Sequence, residues 1–497
     1  MLFRSKWKME KHIKIKNYNE VYLQINCSDS ISYELRDYFS FLVPGHQYIP
    51  QFKAKLWNGR INLYDVRKRL IYRGLLQHII TFAQDRNYTI SYENEVYNNE
   101  FSYTEGVQFI KSLNLKIEPR DYQIEAFIHA IRNKRTLLLS PTASGKSLII
   151  YLILRYLHDE QKHRKTLIIV PTTSLVSQLA TDFSDYGYDS DSMVHRIYSG
   201  QDKETEKPII ISTWQSLYKM PPKYFEQFDS VVGDECHLFK AKSLMSIMVN
   251  LTKTQYRIGT TGTLDGTKTH KLVLEGLFGP VHKVITTKEL MDQKHIADFE
   301  IKCLLLKHID PLCKMAKNYS YQEEIEYLVL SNSRNNFITN LSISLNGNTL
   351  ILYQYVDKHG KILFDKINSK IDKSRKTFFV YGKTDVEVRE DIRRIVETET
   401  NAIIIASFGV FSTGVNIKNL HNIIFASPSK SRVRNLQSIG RGLRKSETKS
   451  SAVLFDIADD LRSGKKLNYT LSHFEQRIRI YSEEKFKFKI YKISLKE

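Results

Sequence analysis

Residues 137–150 read LLLSPTASGKSLII: an apolar run, a short loop of small residues, then an apolar stretch with helical periodicity. Strand, loop and helix in that order is the setting a phosphate-binding loop requires. Backbone N–H groups of Thr142, Ala143, Ser144, Gly145 and Lys146, entered through Pro141, would converge on an anionic phosphate. The positive end of the following helix would help them. Lys146 would reach the β- and γ-phosphate oxygens, and the Ser147 hydroxyl would ligate Mg2+. Ser140 stands where the consensus has its first glycine, which affects the path into the loop and leaves the chemistry of Gly145-Lys146-Ser147 intact.

The pattern continues outward in both directions. β-branched runs recur at 166–171 (TLIIVP), 208–213 (PIIIST), 230–235 (SVVGDE) and 255–262 (QYRIGTTG), separated by helical stretches such as 174–186 (SLVSQLATDFSDY). The alternation restarts at 348–355 (NTLILYQY) and runs through 376–382, 401–407, 421–427 and 451–457. Strands alternating with helices build a parallel sheet covered on both faces. The expectation is two α/β domains in series, with a break near 285–300. Upstream lies a small α+β module. Its stretch KAKLWNGRINLY alternates around Asn58-Gly59, the short-range signal for a β-hairpin with a type I′ turn. The polar stretch 92–104 reads as the boundary. The domains are then 1–100, a small nucleic-acid-binding accessory; 101–290 and 291–460, the two α/β domains; and 461–497, a helical and basic extension ending in KFKFKIYKI.

Composition excludes several classes. With 497 residues, 42% hydrophobic and 26% charged, the chain can bury several cores. Its apolar runs fall short of the ~18–20 residues a membrane span needs. The first residues contain no apolar block of the kind a secretory signal has. Four cysteines (Cys27, Cys236, Cys303, Cys313) form neither a CxxC pair nor a disulfide framework, which fits a reducing cytoplasm. Net charge is +20, and residues 301–497 carry 34 Lys and Arg against 21 Asp and Glu. A polyanionic partner, nucleic acid first, is the expectation, with a merely solvated surface as the bland alternative.

Two further motifs add chemistry. SVVGDECH (230–237) puts Asp234 at a strand end, where it can hold Mg2+ through water, and Glu235 beside it, where it can polarise the attacking water. LQSIGRGLRK (436–445) sets Arg441 and Arg444 three apart, on one face if helical, with Gln437 in the same segment. Such arginines can neutralise charge on a transferred phosphoryl group. Each motif alone has a bland reading: a chance loop, an acidic turn, a basic helix face. In this order, on two α/β domains, they point to ATP and Mg2+ held with the loop on one domain and the arginines on the other.

The set resembles the superfamily 2 helicases and translocases over roughly residues 110–460. That resemblance implies two tandem RecA-like P-loop domains, with Arg120 and Gln123 reading the adenine. Thr172, Thr173, Thr213 and Trp214 would line the nucleic-acid track, and His237 would link the DECH box to Thr261-Gly262-Thr263. Thr413 and Gly414 lie in a motif (412–416) touching backbone and nucleotide, although many relatives carry Asp where Asn416 stands. The leading LRDYFSFLVPGHQYIPQFKAKLWNGRI narrows the likeness to the branched-DNA helicases of T-even-type phages. It implies ATP-driven remodelling of Holliday junctions, stalled forks and R-loops in phage replication, recombination and repair, within the bacterial cytoplasm. DNA (branched, single-stranded or forked), RNA–DNA hybrids and other replication proteins would be partners, and no membrane. In the leading module Trp57 and Arg60, with Lys53 and Lys55, suit stacking on an unpaired base and gripping phosphates; equally, Trp57 would suit that module's core. A DExH-type RNA helicase and the motor of a nuclease or restriction assembly remain alternatives, the motifs alone not separating DNA from RNA.

Overall fold

A computed structural model describes residues 11–93, 100–198, 202–239, 241–372, 374–413, 417–427, 431–443, 449, 451–464 and 466–495; the side chains of 386, 412, 413, 433 and 441 also lie outside the description. The chain divides into two compact units. One is Met1–Ser140 with Gly145–Val284; the other is Ile285–Glu497 with the loop residues Pro141–Ser144.

The first unit opens with β1 (His12–Asn17), β2 (Tyr22–Asn26), β3 (Ser40–Leu42), β4 (Arg60–Asn62), β5 (Tyr64–Asp65), β6 (Leu70–Tyr72) and β7 (Thr89–Tyr92), and helices α1 (Asp29–Tyr38) and α2 (Leu76–Asp85). Five strands form a mixed sheet, β5-β6-β2-β1-β7. In β1, Ile13 and Ile15 point inward between solvent-facing lysines, the alternation of a half-buried strand. Ser28 starts α1 by accepting from the Ile31 N–H.

The expected hairpin at Asn58-Gly59 does not form. Gly59 does take a left-handed turn, φ +76°. However, Pro50–Lys53 is a short helix, and β4 pairs back to β3, Ser40 opposite Asn62. Pro50 sits at the first helical position, where its fixed φ and missing N–H cost nothing. The alternation of KAKLWNGRINLY therefore spans a helix end and one short strand. Toward the end of the polar stretch, Phe101 is buried, and Ser102 and Glu105 form a capping box that starts the helix Tyr103–Ser112.

Seven parallel strands follow: β8 (Arg135–Leu139), β9 (Thr166–Val170), β10 (Val194–Ile197), β11 (Ile209–Thr213), β12 (Ser230–Gly233), β13 (Tyr256–Thr261) and β14 (Val281–Lys283), in the order β10-β11-β9-β12-β13-β8-β14. The central strands β9, β11, β12 and β13 are buried along their whole length, as their unbroken apolar runs require, while the edge strands β10 and β14 are only partly covered. Among the covering helices are α3 (Asp121–Asn133), α4 (Lys146–Asp159), α5 (Thr173–Asp185) and α6 (Lys268–Phe278). Helix α4 is buried continuously from Leu148 to Leu154.

The leading module is not loosely tethered. Its Ile13, Leu35, Phe39, Ile71 and Phe82 belong to one apolar cluster with Leu137, Val231, Leu277 and Phe278 of the seven-stranded domain. Glu20 fastens the seam: its carboxylate meets Arg73 at 2.7 Å and Arg135 at 2.5 Å, and its N–H donates to the Thr252 carbonyl. His78 meets the buried Glu275 at 2.9 Å. Gly74 comes so close that a Cβ there would lie 1.9 Å from the Glu275 carbonyl oxygen.

The second unit repeats the parallel plan with β15 (Asp298–Lys307), β16 (Thr349–Tyr353), β17 (Thr377–Val380), β18 (Ile403–Ser407), β19 (Asn422–Phe425), β20 (Ser451–Asp460) and β21 (Lys487–Ser494), in the order β17-β18-β16-β19-β20-β15-β21. Helices α7 (Asn332–Ser344), α8 (Arg432–Gly442) and α9 (Tyr469–Glu483) belong to it. The basic tail supplies β21, the edge strand paired in parallel with β15. Two buried ion pairs tie helices to β20. Arg334 of α7 donates through Nε to both oxygens of Asp459, and Arg477 of α9 does the same to Asp456.

Two predictions follow from this packing. Gly74→Ala should destabilise the first unit by about 1–3 kcal/mol, because backbone must move to admit the methyl; urea unfolding measures it. His359 is fully buried between Ser427 and Asn335, and burial depresses its pKa to about 3. The unfolded chain takes up this proton near pH 6.5 and the native one only near 3, so this stability is complete above 6.5 and is lost as pH falls toward 3. A pH series of unfolding curves should show that loss, and His359→Gln should flatten it.

Candidate active site

Because both strands are parallel, the carboxyl ends of β8 and β13 fall at one edge, Leu139 opposite Thr261. From β8 the chain enters the loop at Ser140, whose N–H donates to the Thr261 carbonyl. Ala143 and Gly145 both adopt left-handed backbone, φ +68° and +77°, before Lys146 opens α4. Ser144 closes the turn, its hydroxyl donating to the Pro141 carbonyl at 2.6 Å.

Gln123, near the start of α3, is buried, accepts from the Arg120 N–H at 2.9 Å and donates to the Gly145 carbonyl at 3.4 Å. A Cβ on Gly145 would lie 2.3 Å from the Gln123 amide nitrogen. Glycine is thus required at 145 for its backbone angle and for space, and Gln123 buttresses the loop. The Arg120 guanidinium donates to the Tyr122 hydroxyl at 2.8 Å.

The Lys146 ammonium lies 3.5 Å from the Ser140 carbonyl and 3.9 Å from Glu235. Asp234 follows β12, its N–H donating to the Ile169 carbonyl; its carboxylate accepts from the Thr260 hydroxyl at 2.7 Å and the Glu235 N–H at 2.9 Å. Burial pushes the Asp234 carboxyl above its usual range, and Glu235 adds to this while Lys146 opposes it. Glu235 itself sits in left-handed backbone at φ +49°, strain of the sort stored at functional sites. For Mg2+ the Ser147 hydroxyl and Asp234 carboxylate supply the hard oxygen donors it takes, so these residues fit the ion. The Ser147 hydroxyl lies 2.8 Å from that of Tyr186.

His237 is buried with Nδ1 3.0 Å from the Thr261 hydroxyl and 3.2 Å from a Glu235 oxygen. Thr261 spends its one hydroxyl proton on the Thr263 carbonyl at 3.1 Å, so His237 Nδ1 carries the proton and donates to it. The DECH box and the Thr261-Gly262-Thr263 segment therefore touch. Two participants carry no motif signal that the sequence reading used. Thr260 supports Asp234, and His270, held by Asp265 at 2.9 Å, donates through Nε2 to the His237 carbonyl at 2.8 Å. Thr260 adjoins a recognised motif and was within reach; His270 lies on α6 amid unremarkable sequence.

The nucleic-acid candidates scatter more. Thr172 caps α5, its hydroxyl accepting from the Leu175 N–H at 3.4 Å, and Thr173 beside it is exposed. Thr213 is buried with its hydroxyl on Ser216 at 3.0 Å, and Trp214 packs partly against the core. Trp57 lies outside the core cluster, half-exposed, its indole N–H donating to the Arg60 carbonyl at 2.8 Å. Arg60 is exposed and its guanidinium reaches the Ser40 hydroxyl at 3.4 Å. In the second unit, Gln437 is half-buried on α8, which also carries Arg441. The side chains of Arg441 and Thr413, and all of Gly414 and Arg444, lie outside the described residues.

Three family models match: "DNA helicase UvsW, N-terminal" over residues 11–93, "Type III restriction enzyme, res subunit" over 116–266, and "Helicase conserved C-terminal domain" over 333–446. The ATP-dependent DNA helicase uvsW of Enterobacteria phage T4 is 35% identical across 97% of this chain and 100% of its own length. The DNA 3'-5' translocase XPB2 of Sulfurisphaera tokodaii is 27% identical across 84% of this chain and 95% of that protein. The crystal structure of T4 UvsW superposes with a TM-score of 0.51 at 33% identity, covering 98% of this chain and 100% of that one. The parallel sheets are those of tandem RecA-like domains. With the leading module and both helicase domains matched in order, the chain belongs to the UvsW family of superfamily 2 DNA helicases.

Proposed function

We propose that the protein is an ATP-driven DNA motor that remodels branched DNA: branch migration of Holliday junctions, fork regression, R-loop unwinding and strand annealing. The observation that carries this is the welding of the leading module to the motor domain. The surface that carries Trp57 thereby belongs to the ATP-hydrolysing unit and not to a separately tethered domain.

ATP is the substrate, and its phosphates suit the loop Pro141–Lys146. Lys146 neutralises the β- and γ-oxygens, Ser147 and Asp234 hold Mg2+, and Glu235 takes the proton of the attacking water. Arg120 and Gln123 serve the adenine end. From the second domain Arg441 and Arg444, with Gln437, stabilise charge on the transferred phosphoryl group, and Gly414 contributes to nucleotide binding. His237 passes the state of Glu235 to Thr261. Thr172, Thr173, Thr213, Trp214 and Thr413 follow one strand. Branched, forked or single-stranded DNA, RNA–DNA hybrids and proteins of replication and recombination are the partners. Among the described residues no helix is long and apolar enough to cross a membrane, and the site of action is the cytoplasm of a phage-infected bacterium.

Around Trp57 the surface is both apolar and basic. Tyr48 and Leu56 are 74% and 81% exposed, Leu56 shares a surface groove with Trp57, Lys53 and Lys55, and the exposed Arg60 accepts the Trp57 indole N–H on its carbonyl. Aromatic and aliphatic side chains offered beside cations suit an unpaired base at a junction, where stacking is worth about 1–3 kcal/mol per base. The match to a restriction-enzyme subunit spans only the motor region, so it supports the motor and carries no nuclease.

The deciding experiment is steady-state ATPase at one salt concentration with single-stranded DNA, linear duplex, a four-way junction and structured RNA. The junction should stimulate most; strongest stimulation by RNA would transfer the reading to an RNA helicase. Glu235→Gln should retain nucleotide binding and lose turnover by at least about a hundredfold, the scale of a general base. Arg444→Ala should lower kcat far more than it raises KM. Trp57→Ala should weaken junction binding about tenfold while leaving single-strand-stimulated hydrolysis near wild type, read by fluorescence anisotropy and ATPase together.

A further inference from the structure

Ser147 is the second residue of α4, and its hydroxyl meets the Tyr186 hydroxyl at 2.8 Å. Tyr186 lies outside every motif considered above. It terminates α5, its N–H donating to the Asp182 carbonyl, and its ring is held against α4 by Tyr151, centroids 5.3 Å apart. Tyr151 is one turn beyond Ser147 on the same helix. Tyr151 is fixed in turn by Arg155, which donates to its hydroxyl at 2.8 Å and to Asp159 at 2.9 Å while lying over the Tyr188 ring. The phenol is therefore aimed at Ser147 by packing along α4.

A serine hydroxyl has one proton and two lone pairs. To serve a cation it must turn a lone pair to the ion and send its proton elsewhere. The Tyr186 oxygen, at hydrogen-bond distance on a packed ring, is an acceptor for that proton. Without it the hydroxyl can rotate among staggered positions, two of which aim the lone pairs differently.

We infer that Tyr186 is a positioning residue that fixes the Ser147 hydroxyl for Mg2+, and that α5 joins this metal ligand to the strand-contacting Thr172 and Thr173 at its other end. The helix has 13 residues, so it spans about 20 Å. Its N-terminus and its C-terminal Tyr186 thus report to the two ligands of a motor, nucleic acid and MgATP, through one rigid element. This rests on the ATPase reading above.

The test uses the full chain with Tyr186→Phe, which keeps the ring and removes only the hydroxyl, and Tyr188→Phe as a control for a neighbouring phenol. A fluorescent ADP analogue is titrated at increasing Mg2+ and again in EDTA, with melting temperature recorded for each variant. Tyr186→Phe should bind Mg-free nucleotide like wild type and need about three- to tenfold more Mg2+ for half of the Mg-dependent tightening, the size of one lost hydrogen bond. In a Ser147→Ala background the same change should have no further effect. Unchanged Mg2+ dependence, an equal effect from Tyr188→Phe, or additivity with Ser147→Ala overturns the assignment. Should the wild type bind nucleotide without any response to Mg2+, the ATPase reading falls and this one with it; a responsive wild type with an indifferent Tyr186→Phe sinks this one alone.

Discussion

The ammonium of Lys146 is the charge on which the first domain's chemistry depends. Two adjacent carboxylates, Asp234 and Glu235, stand at the end of a strand buried on both faces, with the Asp234 carboxyl half-buried. At Asp234 burial, and then the neighbouring Glu235, both favour the protonated form, which could not hold a metal ion. Lys146, 3.9 Å from Glu235, opposes that tendency. It can do so because β8 and β12 run parallel and end at the same edge, and because Gly145 permits the left-handed turn that starts α4 there. The carboxylates need the lysine, the lysine needs the loop, and the loop needs Gln123 behind it.

A second constraint acts at the other end of the same unit. In a freely tethered accessory domain, local concentration would depend on linker length. Here one apolar cluster runs through the module and the motor domain, and Glu20 bridges Arg73 and Arg135 across the seam. Removing Glu20 would leave two arginines facing each other, one of them nearly buried, so the seam is strongly biased to stay shut. The surface that carries Trp57 and Arg60 therefore belongs to the same compact unit as β8 and α4. For the proposed branch migration, such a weld serves better than a tether that merely raises local DNA concentration.

How legible this was from sequence depends on the range of the interaction. The β-branched runs of β9, β11 and β12 announced parallel strands because burial on both faces leaves no polar alternation, and a strand needs only its own residues to show it. Lys146, Asp234 and Glu235 were legible because phosphate and metal chemistry fixes residue type and spacing. The pairing of β4 with β3 was not, since its partner lies about twenty residues back and the alternation around Asn58-Gly59 mimics a local hairpin. Helix Tyr103–Ser112 begins where the polar stretch ends, and its capping box is visible in Ser102 and Glu105 once sought. Tyr186 and His270 act through hydroxyl and ring contacts to residues 39 and 33 positions away, and nothing local marks them.

The second domain's charge can be read the same way. Its sheet buries Asp456 and Asp459, yet each is matched by a buried arginine, Arg477 and Arg334. These pairs cancel, so they leave the excess of basic over acidic residues in 301–497 untouched. A few cations are spent inside: Lys449 donates to the Lys418 carbonyl, and Arg375 to the carbonyls of Ile343, Leu345 and Asn401. The remainder is a surface property. On β21 it takes the form of Lys487, Lys489 and Lys492, exposed along an open sheet edge. Lysines there deter another strand from pairing. Side chains alternate along a strand, so Lys487 and Lys489 stand on one face of this edge and Lys492 on the other.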